Sequence, residues 1–254
     1  TLFRSRSGYR AWKQRVPSVS EKHRDHIKDA IKQIYDGSHQ NYGAPKITEM
    51  LHRQGESIAE KTVGNYMRQM GIKAQWVKPY TVTTIDSDFS SELQNILDEQ
   101  FNPSRPDAVW VSDITYIWTY NGFVYLTSIM DLYSRKIIAW VLSQSLEVFH
   151  SDRGIQFVSQ AFQKVTEGMI NSYSKKAYPW DNACIESFHS LLKREWLNRF
   201  KIFDYKHAYR LVFEYIETFY NTVRIHSHCG YLSPDEYEKQ YRNKLLELEQ
   251  KLAG

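Results

Sequence analysis

The sequence predicts an α/β body, preceded by an all-helical module and followed by further helices. Three observations carry this. Apolar residues recur at helical spacing before residue 73, a β-rich run of Val, Ile, Thr and aromatics spans 108–142, and helical periodicity returns from 183 onward. The 254 residues suffice for two domains. With 42% hydrophobic and 24% charged residues, a packed core is expected and wholesale disorder is not. Two cysteines, Cys184 and Cys229, exclude a disulfide scaffold and a cysteine metal cluster. No apolar run is long enough to span a membrane, and the basic N-terminus has no apolar signal core. A soluble, reducing, cytoplasmic setting is the expectation.

The formal net charge is only +4. It is unevenly spread: residues 1–85 hold 15 Lys/Arg against 7 Asp/Glu, and residues 86–254 hold 18 against 22. A basic front end on a slightly acidic body suggests a nucleic-acid-binding module, with ordinary solubilising charge as the rival reading.

Residues 1–19 form a basic arm or short helix, in which Arg4, Arg6, Arg10, Lys13 and Arg15 surround Tyr9 and Trp12. Residues 20–73 form the helical module. Ser20 is placed to cap a helix whose stripe is Ile27, Ile31 and Ile34, ending at Gly37 and Ser38. A second helix starts near Pro45, buries Ile47, Met50 and Leu51, and stops at Gly55. Ser57 and Glu60 have capping-box spacing for a third, which runs through Val63, Tyr66, Met67 and Met70 to Gly71. Helix, Gly-containing turn and capped helix is the helix-turn-helix pattern. Its candidate phosphate or groove contacts are Lys46, Lys61, Thr62, Asn65 and Arg68, the rival being a small bundle packed on its own chain.

Residues 74–106 read as a linker, with a connecting helix through Leu93, Ile96, Leu97 and Phe101. The body, 107–200, opens with an antiparallel meander: Ala108–Trp118, a hairpin signal at Asn121-Gly122, Phe123–Met130, then Lys136–Leu142. A fourth strand ends at Val148–His150, and Tyr173 lies in a short fifth. Helices are expected over 156–169, 183–198, 204–220 and 234–250, the last two in a C-terminal extension, 201–254. If the third and fourth strands are parallel neighbours, a crossover of a dozen or more residues must join them. Only Ser143–Glu147 are available, so the spacing predicts a crossover helix between Ser143 and Phe149 that the residues as written leave out.

Asp113 sits centrally in the first strand, flanked by Val111 and Ile114, where a charge is costly unless paired or bound to metal. Asp131 follows the second strand and has the place of a turn acid. Asp152 ends the fourth strand within His150-Ser151-Asp152-Arg153-Gly154, and Glu186 opens a helix after Asp181-Asn182. Three carboxylates from separate elements, meeting at one sheet edge, suit Mg²⁺ or Mn²⁺. Two such ions can activate a nucleophile and stabilise the leaving oxygen of a phosphoryl transfer. The rival for Asp113 is a buried salt bridge, and for Glu186 a solvated helix face.

Taken together, Trp110-Val111-Ser112-Asp113-Ile114-Thr115-Tyr116, Asp131 with Ser134-Arg135, His150 to Gly154, and Asp181-Asn182-Ala183 with Glu186-Ser187 resemble the integrase-core signature of bacterial insertion-sequence transposases. These are the retroviral-integrase-like DDE group whose catalytic protein comes from a second reading frame. Tyr42-Gly43 and the helices after it, and Asn221, Arg224 and His226 followed by Ser233-Pro234, resemble the same group, so the likeness covers nearly the whole chain. It implies a ribonuclease-H-like core with a mixed five-stranded sheet. It implies Asp113, Asp152 and Glu186 as catalytic triad and ligands of two Mg²⁺ ions, with Mn²⁺ able to substitute. It also implies recognition of terminal inverted repeats on double-stranded DNA, target DNA as second substrate, a homodimer or higher oligomer on DNA, an upstream fusion partner, and nucleoid association. Asp113 to Asp152 is a shorter interval than that fold needs. The 33 residues between Asp152 and Glu186 are slightly fewer than usual.

Supporting roles follow. His150, Ser151, Gly154 and Asp181 support the site, and Asp181 or Asn182 caps the Glu186 helix. Arg153, Lys175, Lys176, Asn182, Lys193 and Arg194 are candidate DNA contacts. Arg224 and His226 either touch DNA or pin the C-terminal helix. The histidines near Cys229 lack a fourth ligand at zinc spacing. The competing functions are a hydrolytic ribonuclease-H-like nuclease and a non-catalytic DNA-binding regulator.

Overall fold

The computed structural model describes residues 6–75, 100–144 and 182–253. The chain divides into two compact units, Thr1–Gln75 and Trp76–Gly254.

In the first unit, α1 spans Arg6–Lys13, α2 Val19–Gly37, α3 Ala44–Arg53 and α4 Glu60–Gln69. Ser18, not Ser20, caps α2: its side chain accepts from the Glu21 amide while the Glu21 carboxylate accepts from the Ser18 amide. The reciprocal box needs an acid three residues on, and only Ser18 has one. The expected Ser57 cap is likewise corrected, because Ala59 is the N-cap of α4 and makes no side-chain capping bond. The Ile58 carbonyl, just before this start, lies 2.8 Å from the His52 ring nitrogen Nε2. Gly55 in the intervening turn has φ +88°, a backbone that favours glycine.

Ile27, Ile31, Ile34, Ile47, Leu51, Val63 and Met67 of α2–α4, with Tyr42 between α2 and α3, make one buried core. Ile31 is fully buried in it. Replacing Ile31 with Ala should therefore cost this unit about 2–5 kcal/mol, read as a lowered midpoint in chemical denaturation.

In the second unit, β1 (Trp110–Thr119), β2 (Gly122–Asp131) and β3 (Ile137–Ser143) form an antiparallel sheet in that order. Thr119 pairs with Gly122 across a two-residue turn, and Gly122 takes the positive φ of +106°. After β3 the described elements are α5 (Ala183–Glu195), a 3-10 turn (Leu197–Arg199), α6 (Tyr205–Phe213) continued by a π-helical stretch (Glu214–Tyr220), and α7 (Pro234–Ala253). Strand alternation puts Val111, Ile117, Val124, Leu126 and Met130 in one core with Ile185, Phe188 and Leu192 of α5 and Leu211, Tyr215, Ile216 and Phe219. On the opposite face Tyr116, Trp118, Phe123 and Val141 remain about half exposed.

The observed sheet has three antiparallel strands among the described residues, not the mixed five expected. The expected fourth and fifth strands, the 156–169 helix and most of the linker lie outside the described residues. In the full sequence five residues, 144–148, separate Ser143 from Phe149, and 145–149 lie outside the described residues.

Candidate active site

Asp113 stands in mid-β1, opposite Ser128 of β2, on the sheet face that α5 covers. Its carboxylate Oδ2 lies 3.3 Å from His189 Nδ1, with the two side chains 19% and 6% exposed. The other ring nitrogen, Nε2, lies 3.3 Å from Ser128 Oγ. Lys193, one turn further along α5, lays its ammonium 4.6 Å from the centroid of the Tyr116 ring. Burial lowers the Lys193 pKa, and the nearby negative charge of Asp113 pulls against that.

Glu186, His189 and Lys193 follow the i, i+3, i+7 stripe of α5. The helix face that reaches Asp113 therefore begins at Glu186, in its exposed first turn. Asn182 occupies the N-cap position but makes no side-chain capping bond, which corrects its expected role there. Asp152, with His150, Ser151, Arg153 and Gly154, lies outside the described residues, as do Lys175, Lys176 and Asp181. Among the described residues, no three His, Cys, Asp or Glu side chains converge on a metal position.

The residues present nonetheless fit a hard divalent cation. Asp113 and Glu186 offer carboxylate oxygens, and the Asp113 side chain is mostly removed from solvent, where a negative charge calls for a cationic or hydrogen-bonding partner.

A buried clamp forms at the far end of α5, at Glu195. Arg224 Nε donates to Glu195 Oε2 at 2.7 Å and Nη2 to Oε1 at 2.6 Å, a bidentate pair less than a tenth exposed on both sides. The Tyr215 hydroxyl donates to the same Oε2 at 2.8 Å. Burial opposes the Arg224 charge, but the Glu195 hydrogen bonds and charge outweigh it and raise the pKa. Buried His226 packs against the Tyr220 ring edge-on at 4.8 Å.

Arg224 and His226 thus face inward, toward Glu195 and the Tyr220 ring. Asn221 acts with them: its amide accepts from the Ile137 amide at 3.0 Å and donates to the Ile137 carbonyl at 2.9 Å. Ser233 and Glu236 form a reciprocal cap at the start of α7. Asp131 is a fully buried turn acid, accepting from the amides of Asp107 at 2.7 Å and Ser134 at 2.9 Å.

In the N-terminal unit, Arg10, Lys13, Arg15, Lys61 and Arg68 are exposed. Lys46, Thr62 and Asn65 are half-buried, and Arg68 donates to the Asn65 side-chain oxygen at 2.7 Å. Arg6 lies in α1, while Arg4 lies outside the described residues. Arg194 lies near the C-terminal end of α5, half-buried. The sequence reading missed His189, Ser128 and Glu195. The helical spacing of His189 from Glu186 was visible, but a histidine on a helix face has no chemistry until its neighbours are known.

Comparisons with known proteins agree with this layout. A model described as HTH-like domain matches residues 22–80, and models described as integrase core domain match residues 103–148 and 167–234. The chain is 33% identical over 248 residues to the transposase for insertion sequence element IS904 of Lactococcus lactis subsp. lactis (strain IL1403), covering 89% of this chain and 98% of the relative. It is 31% identical over 261 residues to transposase InsF for insertion sequence IS3A of Escherichia coli (strain K12), covering 93% of this chain and 91% of the relative. Since 93% of 254 residues is about 236, some 25 positions of that alignment have no residue in this chain.

Proposed function

The chain belongs to the insertion-sequence transposases that join a helix-turn-helix region to an integrase core, and from that premise we propose that it binds the ends of its element and catalyses their cleavage and transfer into target DNA. The observation that carries the reading is Asp113, a carboxylate in mid-strand on the sheet face met by the Glu186 helix.

Asp113, Asp152 and Glu186 are the residues that would hold two Mg²⁺ ions, with Mn²⁺ as substitute, on a completed ribonuclease-H-like sheet. Bound there, the ions supply nucleophile activation and charge stabilisation at the leaving oxygen. Cleavage is attack of water oxygen on a phosphodiester, which releases a 3′-hydroxyl at the element end. In transfer, that hydroxyl attacks a target phosphodiester; a new P–O bond forms and the target's own 3′-oxygen leaves. Lys193, poised between Asp113 and Tyr116, is placed to meet the phosphate backbone, with Arg194 beside it. The exposed Lys61 and Arg68 of α4 belong to end recognition.

The test is a labelled end duplex incubated with supercoiled target and Mg²⁺. Label appearing in the larger target product supports transfer; release of a nicked fragment alone indicates a hydrolytic nuclease. In the binding step, Lys61→Ala should lower the slope of log affinity against log salt by about one, measured by anisotropy across a KCl series.

One observation favours a second reading, a DNA-binding regulator without catalysis. Some 25 positions of the alignment with the IS3A relative have no residue in this chain, and the interval from Asp113 to Asp152 has no room for a parallel crossover. Ends bound with full affinity and no product in the same assay is the signature of that regulator.

A further inference from the structure

The residue that no motif singled out is His189. Its ring is buried on α5, yet both nitrogens meet polar groups of the sheet: Nδ1 faces Asp113 Oδ2 on β1 and Nε2 faces Ser128 Oγ on β2, each at 3.3 Å. Asp113 and Ser128 are direct cross-strand partners on one face, so the ring spans the strand pair. These contacts suit a ring with Nδ1 as donor toward the carboxylate and Nε2 as acceptor toward the serine hydroxyl. Phe188, fully buried against Tyr220 with centroids 4.8 Å apart, holds the adjacent helix position.

We propose that His189 is a positioning residue for the reaction: oriented by Ser128, it holds the Asp113 carboxylate in one rotamer toward the divalent cation. This rests on the reading of Asp113 as a metal ligand. A carboxylate on a strand has rotational freedom about its terminal torsion, which is broad. A donor fixed on one oxygen removes that freedom and aims the remaining lone pairs, as the outer partners of metal ligands generally do. The carboxylate, which only accepts, favours the proton on Nδ1, and Ser128 matters because it holds the opposite ring nitrogen. Glu186 lies one turn before His189 on the same stripe, so the ring also ties the helix position of one acid to the strand position of another.

The experiment uses the full chain. Mn²⁺ binding is titrated calorimetrically in the presence of end DNA, alongside end affinity, thermal midpoint and single-turnover joining. His189→Leu should weaken Mn²⁺ binding about 10- to 100-fold and slow joining at subsaturating metal, with end affinity unchanged. His189→Asn, which keeps a side-chain donor, should recover part of the Mn²⁺ affinity. Ser128→Ala should shift Mn²⁺ affinity in the same direction by less. Asp113→Asn is the control for the underlying reading. If Asp113→Asn abolishes Mn²⁺ binding while His189→Leu binds it like the unaltered chain, the positioning role is overturned and the ligand reading stands. If Asp113→Asn itself leaves Mn²⁺ binding intact, the ligand reading falls. If His189→Leu lowers the thermal midpoint and Mn²⁺ affinity together and His189→Asn restores only the midpoint, the ring is merely structural and the proposal fails.

Discussion

Asp113→Asn lowers Mg²⁺-dependent cleavage and joining by on the order of 10³-fold or more, about 4 kcal/mol of transition-state stabilisation, with end binding unchanged. The substitution is nearly isosteric. The asparagine oxygen can still accept from His189 Nδ1, and β1 keeps its backbone pairing with β2 from Trp110 to Thr119. What disappears is one negative charge in a half-buried position, and with it the electrostatic reason for a divalent cation to bind there. The loss is therefore chemical and not structural. Single-turnover joining measures it, and a thermal melt confirms that the fold is intact. Activity within a few-fold of the unaltered chain would remove Asp113 from the metal site and with it the mechanism.

Glu195→Ala destabilises the second unit by about 3–5 kcal/mol, the usual consequence of removing one member of a buried ion pair. Glu195 receives two hydrogen bonds from Arg224 and one from Tyr215, and both ionic side chains are less than a tenth exposed. Arginine cannot escape by losing its proton, so the variant leaves a guanidinium buried without its counter-charge. The Tyr215 hydroxyl also loses its acceptor in a fully buried place. Denaturant titration should show a lower midpoint with an unchanged slope. Glu195→Gln, which keeps the acceptor and loses the charge, should fall between. A cost under about 1 kcal/mol for the alanine variant would mean the pair is solvated in solution. Because Glu195 and Glu186 sit at opposite ends of α5, the same variant should also depress joining through the helix that presents Glu186.

The helix-turn-helix stripe was legible because Ile27, Ile31 and Ile34 repeat at helical spacing, and all three are buried as that spacing requires. The meander was legible because alternation and a turn signal are local. The caps were legible in kind and misplaced in position. Ser18 and Ser20 differ only in where an acid stands three residues on, and α4 starts after Ala59 without the side-chain cap that the Ser57 and Glu60 spacing suggests. Arg224 and His226 were ambiguous because a charged residue reads alike whether it faces a phosphate or a buried carboxylate. Their partner, Glu195, lies 29 positions away from Arg224.

By itself the sequence determined the order of the parts and the family they resemble, and it singled out three acids as candidates for the chemistry. It also determined the short interval after β3, a matter of chain length alone. Only the tertiary structure decided which polar groups are spent inside the protein, as Arg224, Glu195 and Asp131 are. Periodicity follows from the local geometry of helix and strand, but the partners of Asp113 and Arg224 are set by which faces pack together. That packing minimises exposed apolar area over the whole unit, and side-chain pairing across it has no signature within any single segment.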